Sequence, residues 1–175
     1  MNDTLKVLET RRSCRSFLPD MIKDEELQAI LRAGTYAPTG MGKQSPIILA
    51  ITDKATRDAI SEQNKQIANW PGAGDPFYGA PVILAVLAKK DVVTHIYDGS
   101  LVIGNLLNAA ESLGVAGIWI HRAKEEFESG FGYELLKKLG LDPDEYEGIG
   151  HCALGYAAAP PKEAVPRKEN YVYYI

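Results

Sequence analysis

At 175 residues, with 46% hydrophobic and 24% charged residues, the chain has the size and composition of one folded domain, and no second domain is expected within 1–175. A net charge of -4 argues against a nucleic-acid surface, and the opening MNDTLKVLETRR lacks the apolar centre of a signal peptide. No apolar run approaches the roughly 18 residues that cross a bilayer, and Cys14 and Cys152 form no disulfide framework, so a soluble cytoplasmic protein is expected.

Leu5, Val7 and Leu8 predict a first amphipathic helix, with Asp3 or Thr4 as its N-cap. It runs into Arg11-Arg12-Ser13-Cys14-Arg15-Ser16-Phe17, where three guanidiniums and two hydroxyls fall within seven residues. Arginine presents a rigid fork of donors that matches phosphate oxygens. Cations after a helix also complement its C-terminal partial charge, so a solvated helix end is the competing reading. Asp24-Glu25-Glu26 then opens a second helix with Leu27, Ile30 and Leu31 on one face, and Gly34 is placed to close it.

The stretch from Tyr36 to Pro46 carries Pro38, Thr39, Gly40, Gly42, Lys43 and Gln44. It reads either as a binding loop, in which glycine admits a ligand to the backbone, or as an ordinary connection. Ile47–Ile51 predicts a buried strand, and a helix follows over 54–67. Residues 69–79 are loop chemistry carrying Trp70, Phe77 and Tyr78, which can roof a pocket or plug a core gap.

Val82–Leu87 predicts a second buried strand, and Thr94–Leu113 the longest helix, apolar around much of its circumference. Gly104, Ala109 and Ala110 permit close helix approach, either at a subunit interface or in a central position within the chain. Val115–Ile120 predicts a third strand that delivers His121-Arg122 at its end. A helix over 125–139 interrupted at Gly130 and Gly132, a cap at Gly140, and a fourth strand over 148–156 whose glycines mark a bulge or a close backbone contact complete the expected elements. The tail from Pro166-Arg167-Lys168 to Tyr171-Val172-Tyr173-Tyr174-Ile175 has strand propensity and needs a partner, either the chain's own sheet edge or another subunit's.

His95, His121, His151, Cys14 and Cys152 lack metal-ligand spacing, so no metal is expected. No GxSxG, Walker loop or GxGxxG follows a strand. Side chains so poorly equipped for catalysis are consistent with a bound cofactor that supplies the reactivity.

The early Arg-Arg-Ser-x-Arg-x-Phe, the Ala-Pro-Thr-Gly loop followed by Gln44, the strand Gly-Ile-Trp-Ile and the closing Pro-Arg-Lys together resemble the nitroreductase family of FMN-dependent oxidoreductases, in order and over essentially the whole chain. The resemblance implies an α+β fold with a central, mainly antiparallel sheet flanked by helices. It implies a homodimer with an exchanged C-terminal strand, residues 160–175 packing on the partner subunit. It also implies FMN as cofactor, with Arg11, Arg12, Ser13 and Arg15 holding phosphate, ribityl chain and pyrimidine edge, and Arg167 completing the phosphate site. Pro38, Thr39 and Gly40 would contact the isoalloxazine from the other subunit, and Gln44 would reach ribityl or ring polar atoms. Ile120 and His121 would present backbone near flavin N5 and O4. The implied reaction is ping-pong: NAD(P)H gives a hydride to N5, and an electron-poor small molecule such as a nitroaromatic or quinone then takes it. No catalytic side chain, nucleic acid or membrane is implied. Reductive dehalogenation, flavin breakdown, or a non-enzymatic dimer that binds flavin or a phosphometabolite stand as alternatives.

Overall fold

In the computed structural model, which describes residues 2–69, 72 and 74–175, helix α1 (Asp3–Thr10) is capped by Asn2, whose side chain accepts from Leu5 N at 2.9 Å. The cap is therefore one residue earlier than Asp3 and two earlier than Thr4, and Asp3 sits inside the positively polarised first turn. Helix α2 (Asp24–Thr35) begins with the Glu26 carboxylate accepting from Lys23 N at 3.1 Å. Gly34 does not close it. That residue is buried within the last turn, where a Cβ would meet Leu106 Cδ2 at 2.6 Å and Ile48 Cδ1 at 3.0 Å, so its missing side chain is what lets α2 pack closely.

Strands β1 (Pro46–Ile51), β2 (Val82–Lys89), β3 (Ala116–Ile120) and β4 (Tyr146–Gly155) form an antiparallel sheet in the order β1-β2-β4-β3. Continuous apolar sequence needs cover on both faces, and β2 has it: Val82 to Ala88 are fully buried. On one face Leu27 and Ile30 of α2 and Ile103 and Leu106 of α4 (His95–Ser112) pack against Val82, Leu84 and Val86. On the other, Ile60 of α3 (Lys54–Ala68), Phe127 of α5 (Ala123–Glu128) and Leu136 of α6 (Gly130–Lys138) pack against Ile83, Ala85 and Leu87. β1, read as buried from its apolar run, is a half-buried edge strand, because sheet order leaves it a neighbour on one side only.

The expected single helix over 125–139 is two. Ser129 breaks it, its hydroxyl donating to Glu126 O at 2.6 Å and accepting from Gly132 N at 3.3 Å. The bulge signalled by glycines is present in β4: Val86 pairs with Gly150 but Leu87 with Gly148, so Ile149 is skipped and turns into the core. A Cβ on Gly148 would collide with the Ala123 backbone and meet Lys124 N at 2.9 Å, and no rotamer relieves a backbone clash. Gly148→Ala is expected to cost about 2 kcal/mol, a fall of roughly 6 °C in Tm; an unchanged melting curve would contradict this packing.

Asp75 organises the segment before β2. Its carboxylate accepts from Arg57 of α3, from Ser61 Oγ at 2.6 Å, from Phe77 N at 2.9 Å and from Gly79 N at 2.7 Å. Phe77 is thereby driven into the core rather than over a pocket, fully buried and edge-on to His151. Trp70, another of the three candidates for a roof, lies outside the described residues. Residues 159–175 pair with no strand, and Tyr171 to Ile175 are all exposed. No helix among the described residues is long and apolar enough to cross a membrane.

Candidate functional site

The arginine segment is fastened on both sides. Ser13 bridges Gly117 of β3, with Cys14 N donating to Gly117 O at 3.1 Å. Beyond it Phe17 is buried and bridges Ala157, with Ala158 N donating to Ser16 O at 2.9 Å and Leu18 N to Tyr156 O at 2.8 Å. Seven residues rich in charge are thus laid along the open edge of the sheet instead of waving from a helix end.

A cleft of about 920 Å³ lies against this segment, lined by residues 11–16, the junction of α4 with β3, and the tail as far as Arg167. The two ends of the chain meet there. Arg12 Nη1 donates to Glu9 O and Arg11 O, both at 2.7 Å, and Arg167 Nη2 to Val165 O at 2.8 Å. These are carbonyl contacts, and among the described residues none of Arg11, Arg12, Arg15 and Arg167 has a carboxylate within 4.0 Å. Glu111 and Glu163 line the same cleft without pairing to them. Behind the segment, burial pushes the Cys152 thiol well up, opposed weakly by the nearby charge of Arg11, so this cysteine is an inert core group.

The second candidate loop is held elsewhere. Thr39 Oγ1 accepts from Gln44 N at 3.0 Å, and Gly40 N donates to Asp98 Oδ1 at 3.0 Å while Asp98 Oδ2 accepts from Thr94 Oγ1 at 2.9 Å. Gly40 is needed because a Cβ would overlap Thr94; the close approach here is to α4. Pro38 and Gln44 are exposed, and Met41 and Gln44 adopt left-handed backbone at φ 53° and 49°. Asp98 and Glu111 lie on the first and last turns of α4, about 20 Å apart at a rise of about 1.5 Å per residue. Within one copy, then, the 38–44 loop and the arginine cleft stand at opposite ends of a helix and do not meet.

Ile120 and His121 end β3. From Gly117, which touches the arginine segment, Ile120 lies about 10 Å further along the strand. β3 is an edge strand, so its outward main-chain groups beyond Gly117 face no neighbouring strand among the described residues. Ile120 is buried, His121 is exposed, and the His121 carbonyl accepts from Asn64 Nδ2 at 2.9 Å. Sequence reasoning passed over Asp98, Asn64 and Glu126 and weighed His151 only as a metal ligand; all four are buried polar groups. The one visible signal was an acid inside the otherwise apolar α4.

A family model described as the nitroreductase family matches residues 8–156. The chain belongs to the nitroreductase family. Like this chain, the structures it resembles in that family are α+β with helices on an antiparallel sheet. A nitroreductase with bound FMN from Bacteroides fragilis superposes with a TM-score of 0.90 at 26% identity, covering 100% of both chains. Another with bound FMN, from Desulfitobacterium hafniense, gives 0.86 at 30% identity, again covering 100% of both. By sequence the chain is 29% identical to the FMN reductase (NAD(P)H) of Bacillus subtilis, over 98% of this chain and 76% of that one. At one end this cleft presents guanidiniums with no carboxylate within 4.0 Å among the described residues, a chemistry that suits an anion.

Proposed function

We propose that the protein is an FMN-dependent NAD(P)H oxidoreductase that reduces electron-poor small molecules such as nitroaromatics or quinones by a ping-pong cycle, working as a homodimer built from a single domain over 1–175. The observation that carries this reading is that four guanidiniums, without carboxylate partners among the described residues, line one cleft beside an open strand edge. The residues present fit FMN: a cationic end for its phosphate, and a free β edge with main-chain donors and acceptors for a planar heterocycle. When bound, FMN supplies the redox chemistry, taking two electrons from the nicotinamide and delivering them to the acceptor.

Arg11, Arg12, Arg15 and Arg167 neutralise and orient the phosphate, with the Ser13 hydroxyl as a further donor. Ile120 and His121 present the end of β3 to the ring. Pro38, Thr39, Gly40 and Gln44 are too far away in their own copy, so they act on the cofactor held by a second copy. That second copy also accounts for the exposed apolar side chains of α1 and α4, Leu5, Leu8, Ile96, Tyr97 and Leu101, and for the unpaired tail from Tyr171 to Ile175, which crosses to the partner. Gly104 follows Tyr97 and Leu101 along α4 at helical spacing, and a Cβ there would meet nothing within its own chain. Gly104→Leu is therefore expected to fold and to shift the protein from dimer to monomer in sedimentation; a fully dimeric variant would exclude this face of α4 as the seam.

The deciding measurement is the absorption spectrum of purified protein with FMN, followed by NADH or NADPH. Flavin bands that bleach with nicotinamide and return on adding an electron-poor acceptor support the reading. Protein that stays colourless with FMN present refutes it, and flavin that binds without being reduced leaves a flavin-binding dimer.

A further inference from the structure

We infer that Asn64 and the buried pair of Glu126 and His151 are positioning residues, which hold the end of β3 so that the His121 N–H faces the open edge of the strand. The assignment rests on the proposed cofactor site. Asn64, Glu126 and His151 are each buried to 1% exposure or less, in helix α3, helix α5 and strand β4, and nothing in the cleft itself requires them.

They act on two consecutive carbonyls. His151 Nδ1 lies 3.4 Å from Ile120 O, and Asn64 Nδ2 donates to His121 O at 2.9 Å. A carbonyl only accepts, so His151 Nδ1 carries a proton where it faces Ile120 O. His151 Nε2 faces Glu126 Oε2 at 2.7 Å, off the line of a good hydrogen bond, and two such atoms approach this closely only with a proton between them. Phe77 packs edge-on against the ring at 5.2 Å between ring centres. The other end of the Asn64 amide is also used, its Oδ1 accepting from Arg122 Nη1 at 3.2 Å. Arg122 takes left-handed backbone, φ 77°, directly after the two held carbonyls.

The direction of the neighbouring N–H follows from covalent geometry. Ile120 C=O and His121 N–H belong to one planar trans peptide and point opposite ways. Gly117 O faces the outer edge of β3, where it accepts from Cys14 N, so by alternation Ile120 O faces β4 and the His121 N–H faces outward. Among the described residues this N–H donates to no protein acceptor. It is presented on the same open edge as the arginine segment. A donor fixed there stabilises whatever electron-rich atom lies against it, and stabilises it more after the ring has gained electrons.

The test is the two-electron midpoint potential of FMN bound to the wild-type protein, to Asn64→Leu, and to the double variant Glu126→Leu with His151→Leu. The double variant replaces a buried polar pair with apolar groups, a change that folded proteins tolerate better than loss of one partner. In each variant the reduction equilibrium is expected to fall about tenfold, a shift of about 30 mV to more negative potential. FMN affinity, set by the distant arginines, is expected to stay within about threefold. Wild-type potential in a folded, FMN-loaded double variant overturns the assignment, even if Asn64→Leu fails to fold. So does a loss of affinity with no shift in potential. A wild-type protein that takes up no FMN refutes the cofactor reading itself, and this assignment with it.

Discussion

Replacing Arg11 by alanine is expected to weaken FMN binding by about 2 kcal/mol, which is roughly a 30-fold rise in Kd by flavin fluorescence titration. The size follows from what the residue lacks. Arg11 is half-buried at the C-cap of α1, lines the cleft, and has no carboxylate within 4.0 Å among the described residues, so its charge is available to an incoming anion. A charge-assisted bond to phosphate is about twice as strong as a neutral one, and the fork geometry adds a second contact. Arg11→Lys keeps the charge but loses the fork, so an intermediate loss of about 1 kcal/mol is expected. Lys137→Ala, on α6 far from the cleft, serves as the control. An Arg11→Ala variant that binds FMN as tightly as wild type removes this residue from the phosphate site.

The second large effect concerns stability. Asp75→Ala is expected to destabilise the fold by about 3 kcal/mol, a fall of roughly 9 °C in Tm, because it leaves the nearly buried Arg57 with only the half-exposed Asp58 carboxylate at 3.3 Å as counter-ion. The Arg57 side chain is only 10% exposed, and Asp75 also collects Ser61 Oγ and two main-chain N–H groups that would lose their acceptor. Burial raises the Asp75 pKa, but the bonds from Arg57, Ser61, Phe77 N and Gly79 N outweigh it, and the carboxyl is held below its ordinary 3.8. A lowered folded pKa means that this stabilisation is complete well above 3.8 and is lost as pH falls through the folded value. Wild-type protein should therefore lose stability below about pH 4 more steeply than the variant. Chemical denaturation at neutral and acidic pH checks both statements; equal stability of the two proteins at pH 7 would show that Asp75 does not hold this segment.

Much of the architecture was legible in the residues. The apolar run Val82–Leu87 can only be a strand covered on both faces, and β2 is one. The sequence placed α2, α3 and α4 to within a residue or two, α2 through its 3.6-residue period. The glycines over 148–155 marked a real bulge. Local chemistry failed where a contact distant in sequence decides. Gly34 looked like a helix stop because glycine ends helices, but Leu106 and Ile48 are what it makes room for. The run before Thr52 looked buried because apolar runs are, but sheet order put β1 at an edge. Phe77 could have roofed a pocket, and four bonds to Asp75 turned its loop inward.

By itself, the sequence determined the class of the fold, the family and a run of guanidiniums of the kind an anion would need. Periodicity, capping and the composition of residues 11–17 are local properties that every part of the chain carries with it. Only tertiary structure decided that the arginines and Arg167 share one cleft while the 38–44 loop stands at the far end of α4, and that Asn64 and His151 hold adjacent carbonyls at the end of β3. Such arrangements depend on which distant segments are brought within a few ångströms of each other. Hydrogen bonds and ion pairs act only over that range, and no spacing along the chain encodes it.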